Sequence, residues 1–277
     1  MVQNYSLKSQ VATFVLLALT FASCDHPADR QITPPAPPVN YQNYLTAATL
    51  FVQHSAEYKA LCYQAYNGAA NTLRYLVSEG GSANMAVVLD LDETVLDNSP
   101  YTGWQIQTNA SHGDSTWAIW TNKAQAMEVP GAGDFLRTAD ELGLTLFYVS
   151  NRDTSALAAT IANMAQLQLP QLEPAHFYLK TSTSDKTERR EAIEAQGYQI
   201  VMFVGDNLGD FSGAFDKQST TRRAALTDSL NTRFGTEYIV LPNPVYGTWE
   251  GALYNFDRTL TDAQRDSIRM HLLKVGI

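Results

Sequence analysis

The 277-residue chain is predicted to fold as an α/β protein with a doubly wound parallel sheet. Short apolar runs typical of buried strands alternate along the chain with amphipathic, helix-like segments. Several of these runs end directly in polar or acidic residues, as the strands of open α/β sheets do at the edge where ligands bind. A composition that is 45% hydrophobic is sufficient for one sizeable domain with a substantial core.

The first segment of this domain, residues 41–79, is expected to form two helices ending at Gly80-Gly81, because apolar residues recur every four positions. These residues are Leu61, Ala65, Ala69, Leu73 and Val77. Cys62 lies on the same stripe and is expected to be a small buried hydrophobic residue.

The sheet and its covering helices are expected in the second part of the chain. The predicted strands are 85–91, 144–149, 177–179, 199–204 and 238–241. The predicted helices are 133–142, 154–167, 185–195 and 261–274. The third of these helices has Ser184 or Asp185 as its expected N-cap. The segment 96–127 is rich in aromatic residues and is expected to be irregular.

The N-terminus has the pattern of a targeting segment. Lys8 precedes a largely apolar run, Val11–Ala22, which is short for a transmembrane helix. Phe21-Ala22-Ser23-Cys24 resembles a bacterial lipobox, so Cys24 is the predicted lipidation site. Residues 1–23 would then be a signal peptide and residues 24–40 a proline-rich tether. The alternative is an ordinary secretory signal in which the cysteine occurs by chance.

The charge balance limits the partners. A net charge of −9 argues against a nucleic-acid polymer, which usually meets a basic surface. A small phosphate compound can still bind an acidic protein where a metal ion and a lysine reverse the local field.

Polar residues follow three of the predicted strands. Asp90 and Asp92 come at the end of the first, Ser150 ends the second, and Asp206 and Asp210 follow the fourth. Burying charged carboxylates at a sheet edge is costly unless a cation or a reaction pairs them. Clustered carboxylate oxygens suit Mg²⁺.

The amino-acid sequences of these segments resemble those of the haloacid dehalogenase (HAD) superfamily phosphatases. DLDETVLDNSPY, Asp90–Tyr101, is similar to their first motif, and in its length and sequence it resembles the class C bacterial acid phosphatases, the lipoprotein 5′-nucleotidase group. Later strings extend the resemblance from Tyr41 to the C-terminus. They are VPGA, FYVSNR, FYLK, VGDNLGDF and LPNPVYGTWEGAL, which begin at Val129, Phe147, Phe177, Val204 and Leu241.

This resemblance implies roles for the acidic residues. Asp90 would be the nucleophile that forms an aspartyl-phosphate. Asp92 would act as general acid and then general base, and would also give its backbone carbonyl to the metal. Asp90, Asp92, Asp206 and Asp210 would together hold one Mg²⁺, with Asp210 binding directly, through water, or by holding its neighbours in place.

The resemblance also implies a substrate site. Ser150, supported by Asn151, would bind a phosphate oxygen, and Lys186 would clamp the phosphate, with Lys180 as the alternative lysine. Trp117 and Tyr246 match positions that stack on a nucleobase.

The implied protein is a Mg²⁺-dependent phosphomonoesterase acting on nucleoside 5′-monophosphates or nicotinamide mononucleotide. A broad-specificity acid phosphatase or a phosphotransferase is the alternative enzyme, and a non-catalytic surface-binding lipoprotein is the alternative of another class. A HAD-like core is expected at 82–95 and 128–277, with a helical cap part at 41–80 and 96–127. The resemblance further implies a homodimer, lipid-anchored in the bacterial cell envelope and expected at the outer membrane.

Overall fold

A five-stranded parallel sheet lies at the centre of the fold, in the order β5-β4-β1-β6-β7. The strands in chain order are β1 (Met85–Leu89), β2 (Leu96–Asp97), β3 (Met127–Glu128), β4 (Thr145–Asp153), β5 (Phe177–Lys180), β6 (Gln199–Gly205) and β7 (Tyr238–Val240). The short strands β2 and β3 form a separate antiparallel pair. Because β1 is central and the chain adds strands first on one side of it and then on the other, the predicted doubly wound α/β fold is confirmed.

Helices connect and cover these strands. They are α1 (Thr46–His54), α2 (Ala56–Gly80), α3 (Ser99–Thr108), α4 (Asp114–Asn122), α5 (Ala132–Glu141), α6 (Leu157–Gln166), α7 (Thr187–Glu194), α8 (Thr220–Ser229), α9 (Thr248–Leu253) and α10 (Asp262–Leu272). A 3₁₀-helix, Tyr41–Leu45, precedes α1.

The computed structural model describes residues 39–276, and from Asn40 onward they belong to one compact unit. The predicted signal peptide, Cys24 and nearly all of the predicted tether lie outside the described residues. Within residues 39–276, no helix combines the length and the apolar character that crossing a bilayer requires.

Strand β1 separates two layers of core. Alternate residues of a strand point to opposite faces, and Val87 and Leu89 join the larger hydrophobic cluster, which includes buried residues of α2 and α5. Ala86 and Val88 join a smaller cluster with Ile193 of α7. With both of its faces covered, β1 places the residue that follows it in the interior of the molecule.

The buried face of helix α2 coincides only in part with the predicted apolar stripe. Leu61 is 43% exposed, whereas the buried positions of α2 are Tyr58, Cys62, Tyr66, Ala69, Ala70 and Leu73. An α-helix has 3.6 residues per turn, so a strict four-residue repeat drifts around the axis and cannot stay on one face. The expectation for Leu61 was wrong, and the expected burial of Cys62 is confirmed. Buried residues of α2 belong to the main hydrophobic core. The assignment of residues 41–80 to a cap stays a prediction.

Three other expectations need correction. The segment 96–127 is largely helical, since it contains α3 and α4. Its aromatic residues fall into two pairs spaced three residues apart, Tyr101 with Trp104 and Trp117 with Trp120, which is a helical spacing. The N-cap position of α7 is Lys186 rather than Ser184 or Asp185, but Lys186 makes no side-chain cap hydrogen bond. The capping hydrogen bond comes from Asp185, whose Oδ1 accepts from the Thr187 backbone N–H at 2.9 Å. Strand β4 continues past residue 149 to Asp153, so Ser150 lies within the strand.

Candidate active site

The polar residues that follow β1, β4 and β6 meet at one edge of the sheet. Asp90 comes directly after β1, and its backbone N–H donates to the Val204 carbonyl of β6 at 2.9 Å. Asp206 comes directly after β6, and Ser150 lies in the adjacent strand β4. This edge is the point at which the strand order reverses, where open α/β sheets bind their ligands.

A buried lysine joins two of the carboxylates at this edge. Lys186 Nζ lies 2.5 Å from Asp90 Oδ1 and 2.6 Å from Asp210 Oδ1. All three residues are buried. Burial alone would lower the pKa of Lys186, but the charges of Asp210 and Asp90 outweigh it, so the pKa of this ammonium group is raised. Lys186 therefore stays charged between two acidic partners.

Asp90, Asp206 and Asp210 form an acidic cluster in which one carboxylate oxygen of each residue lies within 4.8 Å of the others. Asn243 Nδ2 donates to Asp206 Oδ2 at 2.7 Å, and the Thr94 hydroxyl donates to Asp206 Oδ1 at 3.4 Å. Three converging carboxylates form a donor set that suits a hard divalent cation such as Mg²⁺.

Glycine is required where β6 enters this cluster. A Cβ on Gly205 would lie 2.7 Å from Asp210 Cγ, too close for any side chain at position 205. Asp210 is held in turn by the Asn207 backbone N–H, which donates to its Oδ2 at 2.9 Å. The tight turn after β6 thus brings Asp210 back toward the strand end and toward Lys186.

The electrostatics of the cluster favour a bound cation. Burial raises the pKa of Asp90, and Lys186 opposes this shift while Asp210 and Asp92 add to it. Burial also raises the pKa of Asp206, with further contributions from Asp210 and Asp90. A divalent cation would act in the opposite direction, because it stabilises the ionised form of each carboxylate.

Asp92 lies outside this cluster, and its carboxylate is bound by different donors. Arg152 donates to Asp92 Oδ1 through Nε at 2.9 Å and through Nη2 at 2.8 Å. Asn98 Nδ2 donates to the same oxygen at 2.9 Å. The side chain of Asp92 is therefore directed by Arg152 and Asn98, and a contribution of its backbone carbonyl to a metal stays a prediction.

Asn98 connects several parts of the site and was missed by the sequence analysis. Its backbone N–H donates to Glu93 Oε1 at 2.9 Å, and its side-chain oxygen accepts from Trp120 Nε1 at 2.8 Å. Asn98 lies within the DLDETVLDNSPY string, but an asparagine before a helix is most often a cap, so the residue type alone does not indicate this role. The contacts join the residue before α3 to Glu93 and to Trp120 of α4, so they depend on tertiary packing.

Ser150 and Asn151 lie beside the cluster and are held by Arg189 of α7. The Ser150 carbonyl accepts from Arg189 Nη1 at 2.6 Å, and Asn151 Oδ1 accepts from Arg189 Nη2 at 2.7 Å. The Ser150 hydroxyl accepts from the Arg152 backbone N–H at 3.2 Å. Asn151 also lines a cleft of about 70 Å³ beside Lys186. Binding of a phosphate oxygen by Ser150 and Asn151 stays a prediction.

The two aromatic candidates contact different residues around Asp92. Trp117 of α4 packs edge-on against Tyr101, with 5.1 Å between ring centroids, and the guanidinium of Arg152 lies 6.0 Å from its ring. The Tyr246 hydroxyl donates to the buried carboxylate of Glu93, while 38% of the residue stays exposed. No ring contact among the described residues joins Trp117 to Tyr246.

Of the two candidate lysines, Lys186 contacts the acidic cluster, and the alternative Lys180 does not. Lys180 is the last residue of β5, an edge strand, and pairs in register with Asp153 of β4. The structure therefore brings together four of the predicted residues in direct contact or close proximity. These are Asp90, Lys186, Asp206 and Asp210.

A parallel sheet with an aspartate pair after its central strand and an acidic turn after the neighbouring strand defines a HAD-type protein. The family described as HAD superfamily, subfamily IIIB (Acid phosphatase), matches residues 9–249. The chain belongs to this family, and the resemblance drawn from the sequence is confirmed.

Solved structures agree with this assignment. The chain is 40% identical to the class C acid phosphatase from Bacillus anthracis, of which one structure has tungstate bound. The match covers 86% of this chain and 100% of that one, with a TM-score of 0.82. This likeness supports both the fold and the class C acid phosphatase group.

More distant relatives are plant proteins. A stem 31 kDa glycoprotein of Glycine max is 27% identical over 169 residues, and the match spans 59% of each chain. Acid phosphatase 1 of Solanum lycopersicum is 27% identical over 135 residues, which are 46% of this chain and 52% of the tomato protein. The matched region thus spans little more than half of the length of these curated relatives.

Proposed function

We propose that this protein is a Mg²⁺-dependent phosphomonoesterase that works through an aspartyl-phosphate on Asp90. The observation that carries the proposal is the buried Lys186 ammonium between Asp90 and Asp210, next to Asp206. Membership of an acid phosphatase family supports phosphate monoesters as the substrate class. The tungstate bound to the Bacillus anthracis relative, a tetrahedral oxyanion, also supports it.

In the first half of the reaction, a carboxylate oxygen of Asp90 attacks the phosphorus atom of the ester. The bond between phosphorus and the leaving oxygen breaks, and its electron pair goes to that oxygen. The leaving oxygen takes a proton from Asp92 and departs as an alcohol. The ammonium of Lys186 stabilises the negative charge on the transferring phosphoryl oxygens.

In the second half, water attacks the phosphorus atom of the aspartyl-phosphate. The carboxylate of Asp92 takes a proton from that water. The bond between phosphorus and the Asp90 oxygen breaks, its electron pair returns to Asp90, and inorganic phosphate forms. Both carboxylates thereby regain their starting states.

The carboxylates of Asp90, Asp206 and Asp210, with the backbone carbonyl of Asp92, would hold the metal ion. Asp210 already binds Lys186 and the Asn207 N–H, so it would contribute to metal binding through a water molecule or by holding the neighbouring ligands in place. When bound, the ion neutralises charge on the phosphate and on the clustered carboxylates. This division of the acidic residues is part of the proposal.

For the leaving group, we infer a nucleoside, from nucleoside 5′-monophosphates or nicotinamide mononucleotide. Trp117 and Tyr246 support this inference because both lie near the general acid. Trp117 contacts Arg152, which binds Asp92, and the Tyr246 hydroxyl donates to Glu93, the residue that follows Asp92 in the chain. Stacking on aromatic rings tolerates different bases. A broad-specificity acid phosphatase or phosphotransferase, and a non-catalytic binding lipoprotein, are the alternatives.

We further propose that the protein is lipid-anchored through Cys24 in the bacterial cell envelope, at the outer membrane, as a homodimer. Phosphorylated nucleosides cross membranes poorly, so an envelope phosphatase would release a nucleoside that can be transported. The proline-rich segment 24–40 would keep the catalytic domain away from the anchor.

Asp90→Asn should lower hydrolysis of a phosphate monoester at least about a thousandfold, because an amide cannot attack phosphorus.

Removing divalent cations with EDTA should abolish the wild-type activity, and Mg²⁺ should restore it. Phosphate release from purified domain measures both effects, and Asp134→Asn, an exposed aspartate on α5, is the matched control. Full activity of Asp90→Asn without deamidation, or of a verified metal-free enzyme, would refute the mechanism.

Trp117→Ala and Tyr246→Ala should each reduce kcat/KM for adenosine monophosphate by about five- to 150-fold, the loss of one stacking partner. Hydrolysis of glycerol phosphate should fall much less, because that substrate carries no base. Steady-state kinetics on both substrates provide the comparison. Equal losses on the two would leave a general phosphatase without nucleotide preference.

Cys24→Ser should move the full-length protein from the membrane fraction to the soluble fraction, because acylation needs the thiol. Detergent phase partitioning of cells that express either form measures this. The lipobox interpretation is wrong if the serine variant partitions like the wild type.

A further inference from the structure

The general acid in the proposed mechanism is held by a buried arginine. Arg152 and Asp92 form an ion pair in which the side chain of Arg152 is 1% exposed and that of Asp92 is 16% exposed. Arg152 comes from β4 and Asp92 from the loop after β1, two neighbouring strands of the sheet. The pair therefore fixes a loop residue against the rigid part of the fold.

The geometry of this pair is specific. Arg152 Nε and Nη2 both bind Asp92 Oδ1, and Asn98 Nδ2 is a third donor to the same oxygen. Within residues 39–276, the hydrogen bonds of the Asp92 carboxylate all go to Oδ1. Oδ1 is thus anchored by all three donors, and Oδ2 accepts none of these hydrogen bonds.

The orientation of Arg152 is itself fixed. Its Nη1 donates to the Thr160 hydroxyl of α6 at 3.0 Å, and Asn98 Oδ1 accepts from its Nη2 at 3.5 Å. A planar guanidinium that is bound on several sides has little freedom to rotate, unlike the flexible ammonium of a lysine. All three guanidinium nitrogens have partners within the protein, so the contacts of Arg152 do not indicate a phosphate ligand.

We propose that Arg152, assisted by Asn98, is a positioning residue that holds Asp92 Oδ1 so that Oδ2 delivers the proton to the leaving oxygen. The inference rests on the proposed function, in which Asp92 is the general acid. In that step the bond from phosphorus to the leaving oxygen breaks, and its electron pair takes the proton from Oδ2. Asp92 is left as a carboxylate, whose charge Arg152 compensates.

This role predicts a dependence on the leaving group. A nitrophenolate is stable as an anion and departs without a proton, whereas an alkoxide departs only when it is protonated. A misplaced acid should therefore impair alkyl phosphates and spare nitrophenyl phosphate. A purely structural role of Arg152 would impair both substrates equally, because they share the nucleophile, the lysine and the metal site.

The test compares kcat/KM for glycerol phosphate and for 4-nitrophenyl phosphate in Arg152→Gln, Arg152→Lys and wild type, at saturating Mg²⁺. The constant kcat/KM covers the steps up to departure of the leaving group, which are the steps that need the acid. The ratio of the two constants does not depend on the fraction of enzyme that folds. Arg223→Gln is the matched control, since Arg223 is also buried and donates to the Phe215 carbonyl at 3.1 Å.

Arg152→Gln should raise the ratio of nitrophenyl to glycerol activity by at least about tenfold, part of the hundred- to ten-thousandfold contribution of a general acid. Arg152→Lys, which keeps the charge and loses the fork, should raise it less, and Arg223→Gln should leave it unchanged. If Arg152→Gln yields no folded enzyme, Arg152→Lys carries the test. An unchanged ratio in the folded Arg152 variants overturns the inference.

Asp92→Asn separates this inference from the proposed function. It should raise the same ratio by more than either Arg152 variant, because it removes the acid itself. If Asp92→Asn raises the ratio and the Arg152 variants do not, the positioning role fails and the general acid stands. If Asp92→Asn leaves the ratio unchanged, the general-acid role in the proposed function fails, and the positioning role fails with it.

Discussion

The ion pairs of Lys186 with Asp90 and Asp210 are the interaction on which the site depends. They join the end of β1, the turn after β6 and the start of α7. Each of these carboxylates is buried, and a buried charge without a partner is destabilising by several kcal/mol. One ammonium group therefore allows two carboxylates to lie at the carboxyl edge of the central strand, where a phosphate and a cation can reach them.

Two neighbouring aspartates have different environments because different cations hold them. Asp90 faces a lysine and two further carboxylates, whereas Asp92 faces the guanidinium of Arg152. The lysine is a compact point charge, and the guanidinium is a rigid fork. The proposed functions follow this difference, since a nucleophile needs neutralised surroundings and an acid needs a fixed direction.

The strand ends were predictable because a valine-rich apolar run followed by aspartates is a local pattern, and the positions of Asp90 and Asp206 followed from it. Lys186 was recognised through family resemblance. The binding of Asp92 by Arg152 and Asn98 was not predictable, because it joins residues 60 and 6 positions away from Asp92 in the chain. The exposed face of α2 was missed because a four-residue repeat does not match the helical period.

A double-mutant cycle of Lys186→Met and Asp210→Asn, measured as free energies of unfolding with EDTA present, tests the central interaction most directly. Lys186→Met alone should be strongly destabilising, and Asp210→Asn should recover part of that loss, with a coupling energy of about 1–3 kcal/mol. A parallel cycle with Lys180→Met should show none. Additive effects of Lys186→Met and Asp210→Asn would contradict the account, because the two residues would then not depend on each other.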